Sequence, residues 1–432
     1  MRIKLSNHKI LGLLDSFFSQ ISLILSVLLF SKMLSREQFG LYGLAMSIFL
    51  FYSISESFFR TATVKYCATN DGMLFRKTIS SLIYLKLFGL VVTIVAMLLM
   101  NGKIVAFYQQ PDLGKTLFWF PFIMVVYTFR SHFIAVITAR QNIKGLLFQD
   151  MFFAISYIGV VLCLSPVLKS AEQMFIVFFV VNCVSLLFLV LKYPSFIDIR
   201  PGISSKLARQ IFNYGKYTIL VGLGMVAYQN IDILMLGRMA TIEDVGIYKL
   251  SRMSSVFVAV ITGGVLITLM PKISLLYEQN KMGEIKRQYH DSIKHLLMIF
   301  IPFFALSLLI AEPAFDLFFK GKYAGAGSLF AILSFTGIIR AFNNPQGSLL
   351  NGIGLVKYDS FQMWGCLGLN VVLNYFLIPK YANMGAAAAT IITLIVGTII
   401  KEIYIRKYFI TETKFKKGNN EHSNDRYPDD CL

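Results

Sequence analysis

Apolar runs of about twenty residues recur from Ile10 to Arg406, each closed by a short polar interruption. A helix needs about 20 mostly apolar residues to cross the hydrocarbon core of a bilayer. The pattern predicts twelve such helices, at 10–33, 39–62, 78–100, 116–138, 145–167, 173–193, 214–237, 245–270, 295–318, 325–350, 358–378 and 384–405. The first run is too long for a removable signal and lacks a small-residue cleavage site, so it is expected to be retained. The expected fold class is an all-α, polytopic membrane protein.

The chain repeats itself. Glu37-Gln38-Phe39-Gly40-Leu41-Tyr42 is echoed by Glu243-Asp244-Val245-Gly246-Ile247-Tyr248, so that positions 37 and 243, 206 residues apart, are equivalent. An offset of about half the length predicts two related six-helix bundles with a substrate path between them. These are expected at 1–193 and 214–405. The composition changes between them, with Lys192, Pro194, Arg200, Pro201, Gly202, Lys206 and Arg209 in quick succession. Leu207, Ile211 and Tyr214 recur there at helical spacing, which predicts a linker over 194–213 lying as an amphipathic segment on the cytoplasmic surface. The stretch 272–294 reads the same way, and the polar tail 406–432 is expected to be cytoplasmic and disordered.

A hydrophobic share of 56%, a charged share of 15% and a mean hydropathy of +0.65 exclude a soluble globular chain. With the N-terminus inside, most of the 41 basic residues fall in cytoplasmic segments, which predicts an N-in/C-in topology. The net charge of +18 is then a matter of topology. Membrane lipids with anionic headgroups suffice as its counterpart, and no nucleic-acid partner is expected. Cys67, Cys163, Cys183, Cys366 and Cys431 show no C-x-x-C spacing, and His290 and His295 stand five apart, off a common helical face. Neither a nucleotide-binding Gly-rich loop nor H-E-x-x-H is present, and no external loop is long enough for a catalytic domain. The expectation is a non-enzyme with no cofactor and no metal, driven by something other than its own ATP hydrolysis.

The candidate chemistry lies in charges inside apolar runs. Arg60, Lys86, Arg130, Lys249, Arg252 and Arg340 outnumber Asp15, Glu56, Asp150 and Asp232. Each costs roughly 2.5 to 3.5 kcal/mol at a helix centre on insertion scales, so each needs a compensating environment. Glu56 precedes Arg60 by four residues, the favourable order for a pair on one face. Arg130 and Arg340 occupy the fourth helix of their respective halves, and Asn343-Asn344-Pro345 follows the latter. Asp232 and Lys249 or Arg252 are expected at similar depth on adjacent helices, as an ion pair or as part of a coupling site. The six cations are candidate substrate-binding residues. Asp15, Glu56 and Asp232 are candidate ion-coupling residues.

Several short stretches in fixed order carry a resemblance. They are Asn230-Ile231-Asp232, Val245-Gly246-Ile247-Tyr248, Met270-Pro271-Lys272-Ile273-Ser274, the run 318–326 with Gly321, Tyr323 and Ala326, Leu350-Asn351-Gly352-Ile353-Gly354, Asn374-Tyr375-Phe376-Leu377-Ile378-Pro379 and Gly385-Ala386-Ala387-Ala388-Ala389-Thr390. In the first half Phe39-Gly40-Leu41-Tyr42 and Val64-Lys65-Tyr66 join them, whereas Phe58 stands where glycine is usual. Together they resemble the oligosaccharide (O-antigen or capsule repeat-unit) flippases of polysaccharide biosynthesis, in the multidrug/oligosaccharidyl-lipid/polysaccharide exporter superfamily. The resemblance implies a V-shaped pair of six-helix bundles in a bacterial inner membrane. It also implies alternating access that moves an undecaprenyl-diphosphate-linked oligosaccharide outward, in lipopolysaccharide or capsule synthesis. A polysaccharide polymerase and chain-length proteins are implied as partners. Arg252, in the setting Tyr248-x-x-x-Arg252, matches an Arg in the eighth helix of the lipid II flippase that contacts substrate. The alternative is a multidrug or metabolite antiporter, but a drug-cation antiporter should line its cavity with acid, and here cations are in excess.

Overall fold

The computed structural model of the 432-residue chain describes residues 18, 24–69, 72–197 and 205–419, the side chains of 205–206, 215–217, 267 and 410–419 excepted. Asp15, most of the first expected span and Arg200 lie outside the described residues. The helices are α1 (Ile24–Met33), α2 (Arg36–Tyr52), α3 (Ile54–Thr69), α4 (Gly72–Tyr108), α5 (Pro111–Phe118), α6 (Phe120–Ala139), α7 (Ile143–Cys163) and α8 (Ala171–Lys192). A 3₁₀ turn at Pro194–Phe196 follows. Then come α9 (Ser205–Met239), α10 (Ile242–Ser251), α11 (Met253–Glu278), α12 (Met282–Phe319), α13 (Ala326–Ser334), α14 (Thr336–Gly352) and α15 (Val356–Asn419).

The helix ends follow from local chemistry, and they repeat between the halves. Ser35 caps α2 by accepting from the Gln38 N–H, and Thr241, 206 positions on, caps α10 by accepting from the Asp244 N–H. Gln109 after α4 and Lys320 after α12 both take left-handed backbone, with φ 55° and 53°, which stops a helix. Long apolar stretches are also broken. α2 and α3 meet at Ser53 with a bend of 48°, α5 and α6 meet at Trp119, α10 and α11 at Arg252, and α13 and α14 at Phe335. α15 breaks at Ala382, where φ is 45° and ψ −126°.

Among the described residues nine helices are long and apolar enough to cross a membrane, or ten if the bent pair α2–α3 is one span. Three boundaries differ from the sequence pattern. Residues 205–213, expected as a surface linker, are the first turns of α9; their stripe of Leu207 and Ile211, with Tyr214, packs on Phe58, Phe59 and Ala62 of α3 and on α4 and α6. Burial against these helices, rather than a lipid interface, takes up its apolar face. The stretch 272–294 continues α11 and α12 with only a short turn between them, and α15 runs to Asn419, into the tail expected to be disordered.

Both copies of the repeat lie at one end of the molecule, and there they pack on each other. A Cβ on Gly40 would stand 1.8 Å from the Ile242 carbonyl oxygen, and one on Gly246 would stand 2.9 Å from the Arg36 carbonyl oxygen. Only glycine allows α2 and α10 to come so close. Around them one apolar core gathers Phe39, Leu44 and Phe49 from the first half with Val245, Tyr248 and Tyr323 from the second. At the other end, where the 139–143 and 352–356 connections lie, α3 and α6 hold α9 through a separate cluster containing Ile211, Phe58 and Val136.

Candidate functional site

In the second half, buried Asp232 is held by neutral donors. Its Oδ1 accepts from Asn374 Nδ2 at 2.8 Å, and its Oδ2 accepts from Tyr248 Oη and Thr390 Oγ1, both at 2.8 Å. Asn374 and Thr390 come from opposite sides of the break at Ala382, and Asn374 also donates to Asn370 Oδ1 at 2.9 Å. Three hydrogen bonds replace the water that burial removes. The expected ion pair with Lys249 or Arg252 does not form, because the carboxylate is already surrounded by hydroxyl and amide groups. Asn374 Oδ1 is buried without a hydrogen-bond partner, so four polar residues converge here with an acceptor to spare.

Beside this shell stand three cations. The stem of Lys249 lies over Gly43 of α2, where a Cβ would be 3.4 Å from its Cγ, so this residue sits between the halves. Arg252 is the joint between α10 and α11, within electrostatic reach of both Lys249 and Arg340. Arg340, on α14, lies near Tyr228 of α9, and its Nε is buried without a partner. Among the described residues none of the three forms an ion pair. Three positive charges therefore stand near a single buried carboxylate, Asp232, and none of them is paired with it.

The first half is arranged differently. Glu56 pairs with Lys86 of α4 at 3.2 Å, both side chains about 5% exposed or less. The Glu56–Arg60 pair expected from spacing is absent: Glu56 is buried against Lys86 of α4, and Arg60, one turn further on, is exposed. Arg130 also departs from its expected likeness to Arg340. It donates through Nε to Ser185 Oγ at 3.0 Å and stacks over the Phe153 ring at 3.9 Å. The Gln149 amide, with its oxygen turned inward, accepts from Arg130 Nε and Nη2 at 3.2 Å. Partners on α7 and α8 thus fix Arg130 inside its own half, while Arg340 keeps unused donors.

Sequence reasoning missed a second buried network. Lys401 Nζ lies 2.7 Å from Asp359 Oδ1 and donates to Asn343 Oδ1 at 3.2 Å, and Asn351 donates to Asp359 Oδ2. Next to it Glu402 accepts from Gln346, Tyr289 and Arg406. The signal was available, since Lys401, Glu402 and Asp359 fall inside the apolar runs 384–405 and 358–378. Their positions near run ends hid it.

The family model described as polysaccharide biosynthesis protein matches residues 29–328. The chain belongs to this family. Among curated proteins, it is 25% identical over 218 residues to the probable low-salt glycan biosynthesis flippase Agl15 of Haloferax volcanii, covering 50% of this chain and 44% of that one. The chain therefore matches less than half the length of that relative. The polysaccharide biosynthesis chain also shares its fold with solved transporters. It superposes on a multidrug resistance MATE family transporter of the MOP superfamily, in an inward-facing conformation, with a TM-score of 0.75 at 14% identity over 94% of this chain and 96% of that one. The lipid II flippase MurJ, inward closed, gives a TM-score of 0.67 at 16% identity over 91% and 86%. The expected all-helical, multi-pass fold is thereby established.

Proposed function

We propose that this protein is a flippase that carries a polyprenyl-diphosphate-linked oligosaccharide, on undecaprenol in a bacterial inner membrane, from the cytoplasmic to the outer leaflet by alternating access. The two halves, 1–193 and 214–405, are the moving bodies, with twelve spans and both termini inside. O-antigen or capsule repeat units, polymerised and length-controlled by partner proteins, are the products such a carrier serves. The observation that carries the reading is the group Lys249, Arg252 and Arg340, three cations without carboxylate partners inside the membrane. A diphosphate supplies the missing charge, and the planar guanidinium fork matches phosphate oxygens bidentately. A drug-cation antiporter is disfavoured by the same group.

Asp232 is the coupling residue in this scheme. Its oxygens, with those of Asn374 and Thr390, form a site for a proton or a sodium ion, and Tyr248 links that site to the helix carrying Lys249 and Arg252. The test is reconstitution. Proteoliposomes with a fluorescent polyprenyl-diphosphate oligosaccharide are assayed by quenching of the label reaching the opposite leaflet. Wild type should move it without ATP; Arg340→Ala should abolish movement at normal protein yield, and Arg340→Lys should restore a fraction. Full transport by Arg340→Ala, Arg252→Ala and Lys249→Ala together would sink the reading.

A further inference from the structure

At the end opposite the repeat, a cleft of about 420 Å³ opens between α3, α6 and α9. Ser57, Arg60, Thr61 and Lys65 line it from one stripe of α3, spaced so that all four face one way. Thr138 of α6 and Tyr214 of α9 complete the polar wall. No carboxylate lines the cleft, and neither Arg60 nor Lys65 has an ion-pair partner among the described residues. The acid one turn away, Glu56, is committed to Lys86. Instead Lys65 Nζ sits 3.8 Å from the centroid of the Tyr214 ring, a cation–π contact that ties α3 of the first half to α9 of the second.

We propose that this cleft is a docking site for a phosphate-bearing headgroup, bound by Arg60 and Lys65 with hydroxyl support from Ser57, Thr61 and Thr138, and that docking releases Lys65 from Tyr214. The inference rests on the flippase reading for its biological ligand, the diphosphate of the lipid-linked glycan; an anionic phospholipid offers the same chemistry. A charge-assisted bond to phosphate is stronger than an exposed cation–π contact, so a bound anion takes Lys65 off the ring. The tie between the halves then weakens at the end where the proposed topology places the cytoplasm. Substrate arrival thereby loosens the seam that the apolar cluster of Ile211, Phe58 and Val136 otherwise holds.

Spin labels at Thr69→Cys on α3 and Asn213→Cys on α9 read this directly. The full-length protein is placed in vesicles of phosphatidylcholine alone, with added phosphatidylglycerol, or with added undecaprenyl diphosphate. Lengthening with undecaprenyl diphosphate alone identifies the carrier lipid as the ligand, and lengthening in both supplemented arms identifies the phosphate shared by all anionic lipids. Arg60→Gln and Lys65→Gln should each weaken the response at least tenfold in lipid concentration, and Tyr214→Leu should give the long distance without any anionic lipid. Unchanged distances in every arm, or equal responses from the Gln variants, overturn the proposal. Arg340→Ala separates the two readings: it should still lengthen on docking although it does not transport. Docking without transport by wild type would refute the flippase reading while leaving the phosphate site intact.

Discussion

Gly40 shows how strictly a single residue can be specified by packing. A Cβ 1.8 Å from a backbone oxygen cannot be relieved by turning a side chain, so Gly40→Ala must push α2 and α10 apart. At Gly246 the equivalent approach is 2.9 Å, and less movement accommodates it. Gly40→Ala should therefore lower stability by more than about 3 kcal/mol and Gly246→Ala by about 1–3 kcal/mol. Thermal melts in detergent check the order, and equal midpoints would show that the helices do not meet this way. The Glu56–Lys86 pair makes a second demand. Removing one partner strands a buried charge, so Glu56→Gln or Lys86→Met should each cost about 3–5 kcal/mol, while the double variant should recover much of it. Charged positions such as these were legible in the sequence as anomalies in apolar runs. Their partners were not, because spacing rules see one helix at a time: Arg60 is four residues from Glu56, but Lys86 is brought in by the next helix. The shell around Asp232 was hidden for a related reason, since its partners Asn374 and Thr390 are neutral and more than 140 positions away.

At the scale of elements, where apolar runs lie was readable, and where helices end was less so. α9 already covers 205–213, where Ile211 is wholly buried against α3 and its neighbours, a tertiary contact that hydropathy does not register. The breaks at Ser53 and Arg252 likewise carry no adjacent proline or glycine to announce them, whereas Pro121 stands at the second position of α6, just after the break at Trp119. One connection between elements has a mechanical role. Lys322, in the turn between α12 and α13, donates to the carbonyls of Ser31 at 2.8 Å and of Leu34, and Tyr323 Oη donates to Ser31 O at 2.9 Å. Those carbonyls lie in the last turn of α1 and just beyond it, where a cation also suits the helix dipole. Burial and the neighbouring Arg36 both lower the pKa of Lys322. Tyr323→Phe should weaken the closure by about 1 kcal/mol, and Lys322→Ala by about 2–3 kcal/mol. Spin labels at Glu37→Cys and Ala324→Cys would register this as a small and a large shift toward longer distances. Identical distributions in both variants would remove the latch from the account.

For the whole molecule, the repeat at 37 and 243 led to the expectation of two related halves, and the two copies of that repeat meet through Gly40 and Gly246. What the repeat cannot fix is how many times the last helix crosses. The apolar part of α15 spans 54 residues, Val356–Phe409. As one straight helix it would be about 81 Å long at 1.5 Å per residue, against a hydrocarbon core of about 30 Å. Ala382 resolves the excess. The chain reverses there so tightly that a Cβ on Gly385 would stand 2.4 Å from the Leu377 carbonyl oxygen, which places the two arms side by side. Two crossings return the chain to the side it left, so residue 415 should share a side with the linker near Arg200, whereas a single crossing would put them on opposite sides. Fusions of a periplasm-active and a cytoplasm-active reporter at 200, 382 and 415 decide the matter: the proposed topology gives cytoplasmic signals at 200 and 415 and an external signal at 382. An external signal at 415 with a cytoplasmic one at 200 would mean that α15 crosses once, and the pairing of Asn374 and Thr390 around Asp232 could not then form inside one membrane-spanning half.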